Sequence, residues 1–204
     1  MELIDRWMEL AGPETPRLGE DLVARYGEPH RRYHDRDHLA AVLDLVDEMA
    51  AHADDADAVR LAAWFHDAVY DPERGDNEER SARLAERMLA DTDLHSEAVR
   101  EVARLVRLTA THAPDSGDRN GEVLCDADLA ILAAEPAAYA AYAAAVREEY
   151  GFVPDDVFAR ARADVLRGLL GLPVMFRTPP ARDRFEGRAR NNITAELARL
   201  TAHP

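Results

Sequence analysis

Apolar residues along this chain recur at intervals of three and four and nowhere cluster in one-by-one alternation. Leu39, Val42, Leu43, Val46 and Met49 form one such series, Val59, Ala62, Ala63 and His66 a second, and Val99, Val102, Leu105, Val106 and Thr109 a third. That spacing draws a single stripe along an α-helix, whereas a half-buried strand needs a period of two. The chain is therefore expected to be all-α. Glycines and prolines, which fall mainly at segment joints, divide it into helices over residues 2–10, 16–25, one opening at 35–37, then 56–69 stopped by Pro72, 78–89, 96–111, 123–134, 136–150, 154–170 and 180–200. At 204 residues these helices suffice for one hydrophobic core, giving a single helical domain over 1–204.

The formal net charge is -15, with 40 acidic against 25 basic residues. The mean field repels polyanions, so long nucleic acid is an unfavourable partner, while a local basic pocket can still hold a small phosphorylated molecule. Cys125 is the single cysteine, which excludes an internal disulfide framework and a cysteine zinc site. The acidic amphipathic start MELIDRWMEL lacks the pattern of a secretory signal, and no apolar run approaches the roughly 20 residues of a membrane span. A cytoplasmic setting without membrane partners is expected, and a homodimer is left open.

Polar residues interrupt the apolar stripes at four places: His34 and His38 in YHDRDH, His66 and Asp67 in WFHDAVYD, His112 in LTATH, and Asp126 and Asp128 in CDADL. His30, His52, His95 and His203 lie in polar or terminal surroundings and read as surface residues. Taken singly, a histidine on an apolar face is usually a hydrogen-bonded core residue, and Asp126 or Asp128 is usually a helix cap. An ionised carboxylate such as Asp67 is too costly to bury alone. One divalent cation would satisfy the whole set, because imidazole plus carboxylate is an ordinary ligand set for Mn, Fe, Zn, Ni or Mg. Adjacent residues on a helix point about 100° apart, so His66 and Asp67 can meet only on an ion beside the helix edge. If the helix bearing His38 extends back to His34, those two rings share a face.

The order His, then His-Asp, then Asp-Leu resembles the HD-domain superfamily of metal-dependent phosphohydrolases. It is carried by His38 in HLAAVL, His66 and Asp67 in AAWFHDAVY, and Asp128 in CDADLAIL. Further elements resemble one branch of predicted phosphohydrolases of similar length: Arg31, Tyr33 and His34 before His38; Asn77, Glu78, Ser81 and Ala82; Leu108 to His112; and Ala189 to Asn192. The resemblance implies an HD-type helical bundle that hydrolyses a phosphate ester, foremost a nucleotide or other small phosphorylated metabolite. It also implies a divalent metal ion, one or two in number, held by His38, His66, Asp67 and Asp128. Asp128 is preferred to Asp126 as fourth ligand, with Asp126 as a cap. His34 and His112 are then candidates for phosphate contact, proton transfer or a second ion, and Glu78 for general acid or water-orienting base. Arg31, Tyr33, Asn77, Arg190 and Asn191 are candidate phosphate and substrate contacts, since a guanidinium matches two phosphate oxygens at once. The chain's cations are arginines, so the lysine that some HD nucleotidases place after the doublet has no counterpart here. Two other functions fit the same residues: a di-iron HD oxygenase-type enzyme, and a non-catalytic module stabilised by its metal.

Overall fold

The structure, a computed structural model, describes residues 2–202. Among these residues there are ten α-helices, two short 3-10 turns and no strand. The helices are α1 (Leu3–Ala11), α2 (Pro16–Arg25), α3 (Arg36–Met49), α4 (Ala56–Phe65), α5 (Asn77–Leu89), α6 (Ser96–Leu108), α7 (Arg119–Leu129), α8 (Pro136–Glu149), α9 (Asp155–Gly171) and α10 (Pro179–Thr201). The 3-10 turns are Ala50–His52 and Ala130–Ala133. The fold is all-α, as the spacing predicts. The chain divides into two compact units, Met1–Ala127 and Asp128–Pro204. No single described helix is long and apolar enough to cross a membrane.

In the first unit α4 is the central element. Its residues from Ala58 to Phe65 are all buried except Arg60, and it packs against α1, α3, α5 and α6. A helix that is apolar on nearly every side must lie at the centre of its unit. Trp7 of α1 meets Trp64 and Phe65 edge-on, with ring centroids 5.4 and 6.1 Å away. Gly19 lets α2 approach this cluster, because a Cβ there would stand 2.6 Å from the Trp7 ring. Side chains such as Leu39, Leu61 and Phe65, which are almost wholly buried, each contribute about 1.5–3 kcal/mol.

Four helix ends differ from the periodicity by three residues or more: α6 stops at Leu108 rather than 111, α7 gives way at Leu129 to the Ala130–Ala133 turn rather than running to 134, and two others have identifiable partners. α4 stops at Phe65, four residues before the expected end, because the amides from Asp67 onward find partners other than the carbonyl four residues back. Asp67 N–H donates to Tyr26 Oη at 3.3 Å, Ala68 N–H to the Phe65 carbonyl at 3.0 Å, and Val69 N–H to Ser81 Oγ at 3.0 Å. α7 begins at Arg119, four residues early, where Asp118 acts as its cap and accepts from Gly121 N–H at 3.0 Å. Asp126 is therefore not a cap: it lies well inside α7 and is fully buried. His52 also departs from its surface reading. It is half-buried, with Nε2 2.7 Å from Glu122 Oε2. His30 and His95 are exposed, and His203 lies outside the described residues.

In the second unit α10 packs along the Ala130–Ala133 turn and α9, and α8 also packs on that turn. Asn192 of α10 donates through Nδ2 to the carbonyls of Leu132 and Ala134 at 2.9 and 2.8 Å, closing the turn's end. A buried polar network ties the helices together. Arg162 Nε donates to Glu196 Oε1 at 2.9 Å, Arg162 Nη2 to Tyr142 Oη at 3.1 Å, and Tyr139 Oη to Glu196 Oε2. Burial and the neighbouring Glu196 carboxylate push the Tyr139 phenol up, so it remains a donor. Removing one partner of a buried ion pair leaves an uncompensated charge. Glu196→Ala is expected to lower unfolding stability by about 3–5 kcal/mol in urea titration, and a loss below about 1 kcal/mol would show that the network is dispensable.

Candidate metal centre

The site is built where α3 begins and α4 ends. Asp35 caps α3, its carboxylate accepting from Asp37 N–H at 3.0 Å and His38 N–H at 3.2 Å, which sets His38 in the first turn. His66 follows the last residue of α4 and Asp67 lies one residue further, in the turn that leaves the helix. His66 keeps helical dihedrals and its N–H bonds the Ala62 carbonyl at 2.9 Å, so the pair stands at the very end of the helix.

Three ligand-type atoms meet here. His38 Nε2 and His66 Nε2 are 3.1 Å apart, His66 Nε2 and Asp67 Oδ2 3.2 Å, and His38 Nε2 and Asp67 Oδ2 3.6 Å. His66 Nδ1 lies 2.8 Å from the Ala63 carbonyl, an acceptor, so Nδ1 carries the hydrogen and Nε2 of the neutral ring presents a lone pair. His38 Nε2 can meet it either as a protonated donor or, unprotonated, as a second nitrogen ligand to a shared cation. A metal ion about 2.0–2.2 Å from each of its ligands sets neighbouring ligands roughly 3–3.5 Å apart, and the observed triangle fits that spacing. The imidazole and carboxylate donors suit the same ions.

Both histidines are buried, while the Asp67 side chain keeps 17 % of its surface exposed, so solvent reaches the triangle at its carboxylate corner. Burial pushes the Asp67 carboxyl up, but the rings of His66, His38 and His34 outweigh it and hold the group well below the usual carboxylate range. The carboxylate is charged throughout the neutral range and ready to ligate.

Around the triangle, His34 and Tyr33 form an aromatic wall. Tyr33 lies 4.7 Å from the His38 ring centroid, His34 lies 5.9 Å from it, and His34 stacks on Tyr70 at 4.3 Å. His34 precedes the Asp35 cap, so it reaches His38 from the incoming loop rather than from one helical face. Behind the doublet, Tyr26 Oη accepts from Asp67 N–H and donates to the Trp64 carbonyl at 3.2 Å. Neither Tyr26 nor Tyr70 is distinguishable in the sequence from an ordinary core tyrosine.

The remaining candidates fall into two groups. Asn77 and Arg31 have their polar groups engaged within the fold. Asn77 accepts from Asp71 N–H at 3.1 Å and donates to the Asp71 carbonyl at 2.9 Å, closing the loop before α5. Arg31 is buried and donates to carbonyls beside the doublet. Glu78, half-buried in the first turn of α5, has no hydrogen bond or ion pair, whereas the next residue, Glu79, is drawn down to about 2 by Arg107 and Arg83. His112 follows α6 with φ +49°, the one non-glycine residue in the left-handed region among the described residues, and its N–H bonds the Leu108 carbonyl at 3.0 Å. Glycine or asparagine usually occupies such a position, so a histidine there is held by its surroundings at some cost in strain.

Asp128, Arg190 and Asn191 belong to the second unit. Asn191 is exposed, and Arg190 donates to Glu186 and to the carbonyls of Leu170 and Leu172 at 2.6, 3.0 and 2.8 Å, closing the end of α9. On α7, Asp126 and Asp128 point about 200° apart, so they cannot face the same neighbour. Comparison of the chain with protein-family models, curated proteins and solved structures gives no match. Tyr26→Phe removes the hydroxyl shared by Asp67 N–H and the Trp64 carbonyl, and is expected to cost about 1–3 kcal/mol of stability. Chemical denaturation checks this, and a change within about 0.3 kcal/mol would remove Tyr26 from the support of the doublet.

Proposed function

We propose that this protein is a metal-dependent phosphohydrolase acting on a small phosphorylated molecule, with a nucleotide as the foremost candidate. The observation that carries the reading is the convergence of His38 Nε2, His66 Nε2 and Asp67 Oδ2 within 3.6 Å of one another, with the carboxylate at the open corner. A reducing, cytoplasmic setting goes with this reading, on the single Cys125. When bound, a divalent ion supplies Lewis acidity toward a phosphoryl oxygen and a water acidic enough to ionise near neutral pH.

The chain's own residues divide the remaining work. His66, anchored through Nδ1, and His38, held by the Asp35 cap, supply rigid nitrogen donors. Tyr33 and His34, beside His38, are the candidates for contacting a phosphate or moving a proton. Glu78, with its carboxylate unengaged, is the candidate acid or base, and His112 is a second proton carrier. Arg31, Asn77 and Arg190 do not serve as phosphate contacts in this reading, because their donors are committed to backbone carbonyls and to glutamates.

Asp67→Ala is expected to abolish metal uptake and phosphatase activity while helical content is retained, as checked by elemental analysis, a phosphate-ester screen and circular dichroism. Retained turnover in that variant would overturn the proposal. A metal ion supplied at a hundredfold excess over its Kd should stabilise the wild type by about 2.7 kcal/mol and leave Asp67→Ala unaffected. Glu78→Gln should keep full metal content and lose about 10²–10⁴ in kcat, and an unchanged kcat would remove it from the chemistry.

A further inference from the structure

We infer that Arg31 is the positioning residue of the metal centre, a buried guanidinium that holds the backbone of the His66–Asp67 doublet and of the His34 segment in one frame. This rests on the metal reading above. The Arg31 side chain has no exposed surface, an expensive position for a cation unless its donors are matched. Four donor contacts and two aromatic faces match them. Nε donates to Glu28 Oε2 at 3.1 Å, Nη1 to the carbonyls of His34 at 2.9 Å and Asp67 at 2.7 Å, and Nη2 to the Ala68 carbonyl at 3.4 Å. The guanidinium carbon lies 5.2 Å from the Tyr26 ring centroid and 5.5 Å from that of Tyr70.

The choice of carbonyls is the informative part. The last turn of any helix leaves carbonyls without intrahelical partners, and a cation is favoured there by the helix dipole. Arg31 satisfies those of Asp67 and Ala68 just beyond α4, and with the same Nη1 reaches His34. The rings around it are also the site's own: Tyr26 bonds the Asp67 amide and Tyr70 stacks on His34. One planar fork thus connects both chain segments that bring polar groups to the triangle. A lysine carries its charge on a single compact ammonium and cannot reproduce the fork.

The experiment compares Co²⁺ binding by wild type, Arg31→Lys and Arg31→Ala, followed by the cobalt absorption spectrum and by melting with and without the ion. Outer supports of ligands typically contribute 10–100-fold to metal affinity. Arg31→Lys, folded by circular dichroism, is expected to bind Co²⁺ about 10–100-fold more weakly with an altered spectrum. In Arg31→Ala, guanidinium ion at non-denaturing concentration should restore affinity and spectrum, whereas methylammonium should not. If Arg31→Ala does not fold, the lysine variant alone decides.

Wild-type affinity and spectrum in Arg31→Lys would overturn the inference while leaving the metal reading in place. So would a loss in a folded Arg31→Ala that guanidinium leaves unrepaired, since general loosening would then be the cause. A wild-type protein that takes up no ion would overturn the metal reading and this inference with it.

Discussion

The bond between His66 Nδ1 and the Ala63 carbonyl governs what the rest of the site can be. By placing the hydrogen on the inner nitrogen it turns the outer one into an acceptor, and it does so inside a helix end that cannot rotate. His38 Nε2 and Asp67 Oδ2 are brought up to that acceptor, so the fold concentrates electron density at a point that solvent reaches only at the Asp67 carboxylate. Hydrophobic burial of α4 is what makes the arrangement stiff. Its all-round apolar packing, from Ala58 to Phe65, leaves the helix end little freedom to relieve the crowding.

Helix positions were legible from spacing alone, because amphipathic stripes and Pro or Gly joints are local signals. α2 is found at the expected residues, and most other helices within one or two residues at their starts. The four-residue error at the end of α4 has a different origin. The amides that terminate it bond to Tyr26 and Ser81, partners 41 and 12 positions away, and no local pattern announces such bonds. The His-Asp doublet was recognisable, but its location at the very end of α4 was not. Charge had the opposite weakness. Arg31, Arg190 and Asn77 carry the right chemistry for an anion, and only the structure shows their donors already committed.

Arginine serves this acidic chain in a consistent manner. Arg31 bonds carbonyls beyond α4, Arg190 those at the end of α9, and Arg147 those of Tyr150 and Val153 beyond α8. Each cation donates to peptide carbonyls at or just beyond a helix terminus, where the dipole is negative. Of the three, only Arg31 has no exposed side-chain surface.

Asn77 bonds both the amide and the carbonyl of Asp71, and the Ser81 hydroxyl does the same for Val69. These two side chains turn the connection between α4 and α5 into closed rings, with residues 72–75 hanging outside the inner one. Asn77 Nδ2 also reaches the Arg74 carbonyl at 3.4 Å and Arg74 N–H donates to the Asp71 carbonyl at 3.0 Å, so a change in the tip that displaced Asn77 would be felt at the chain leaving the doublet.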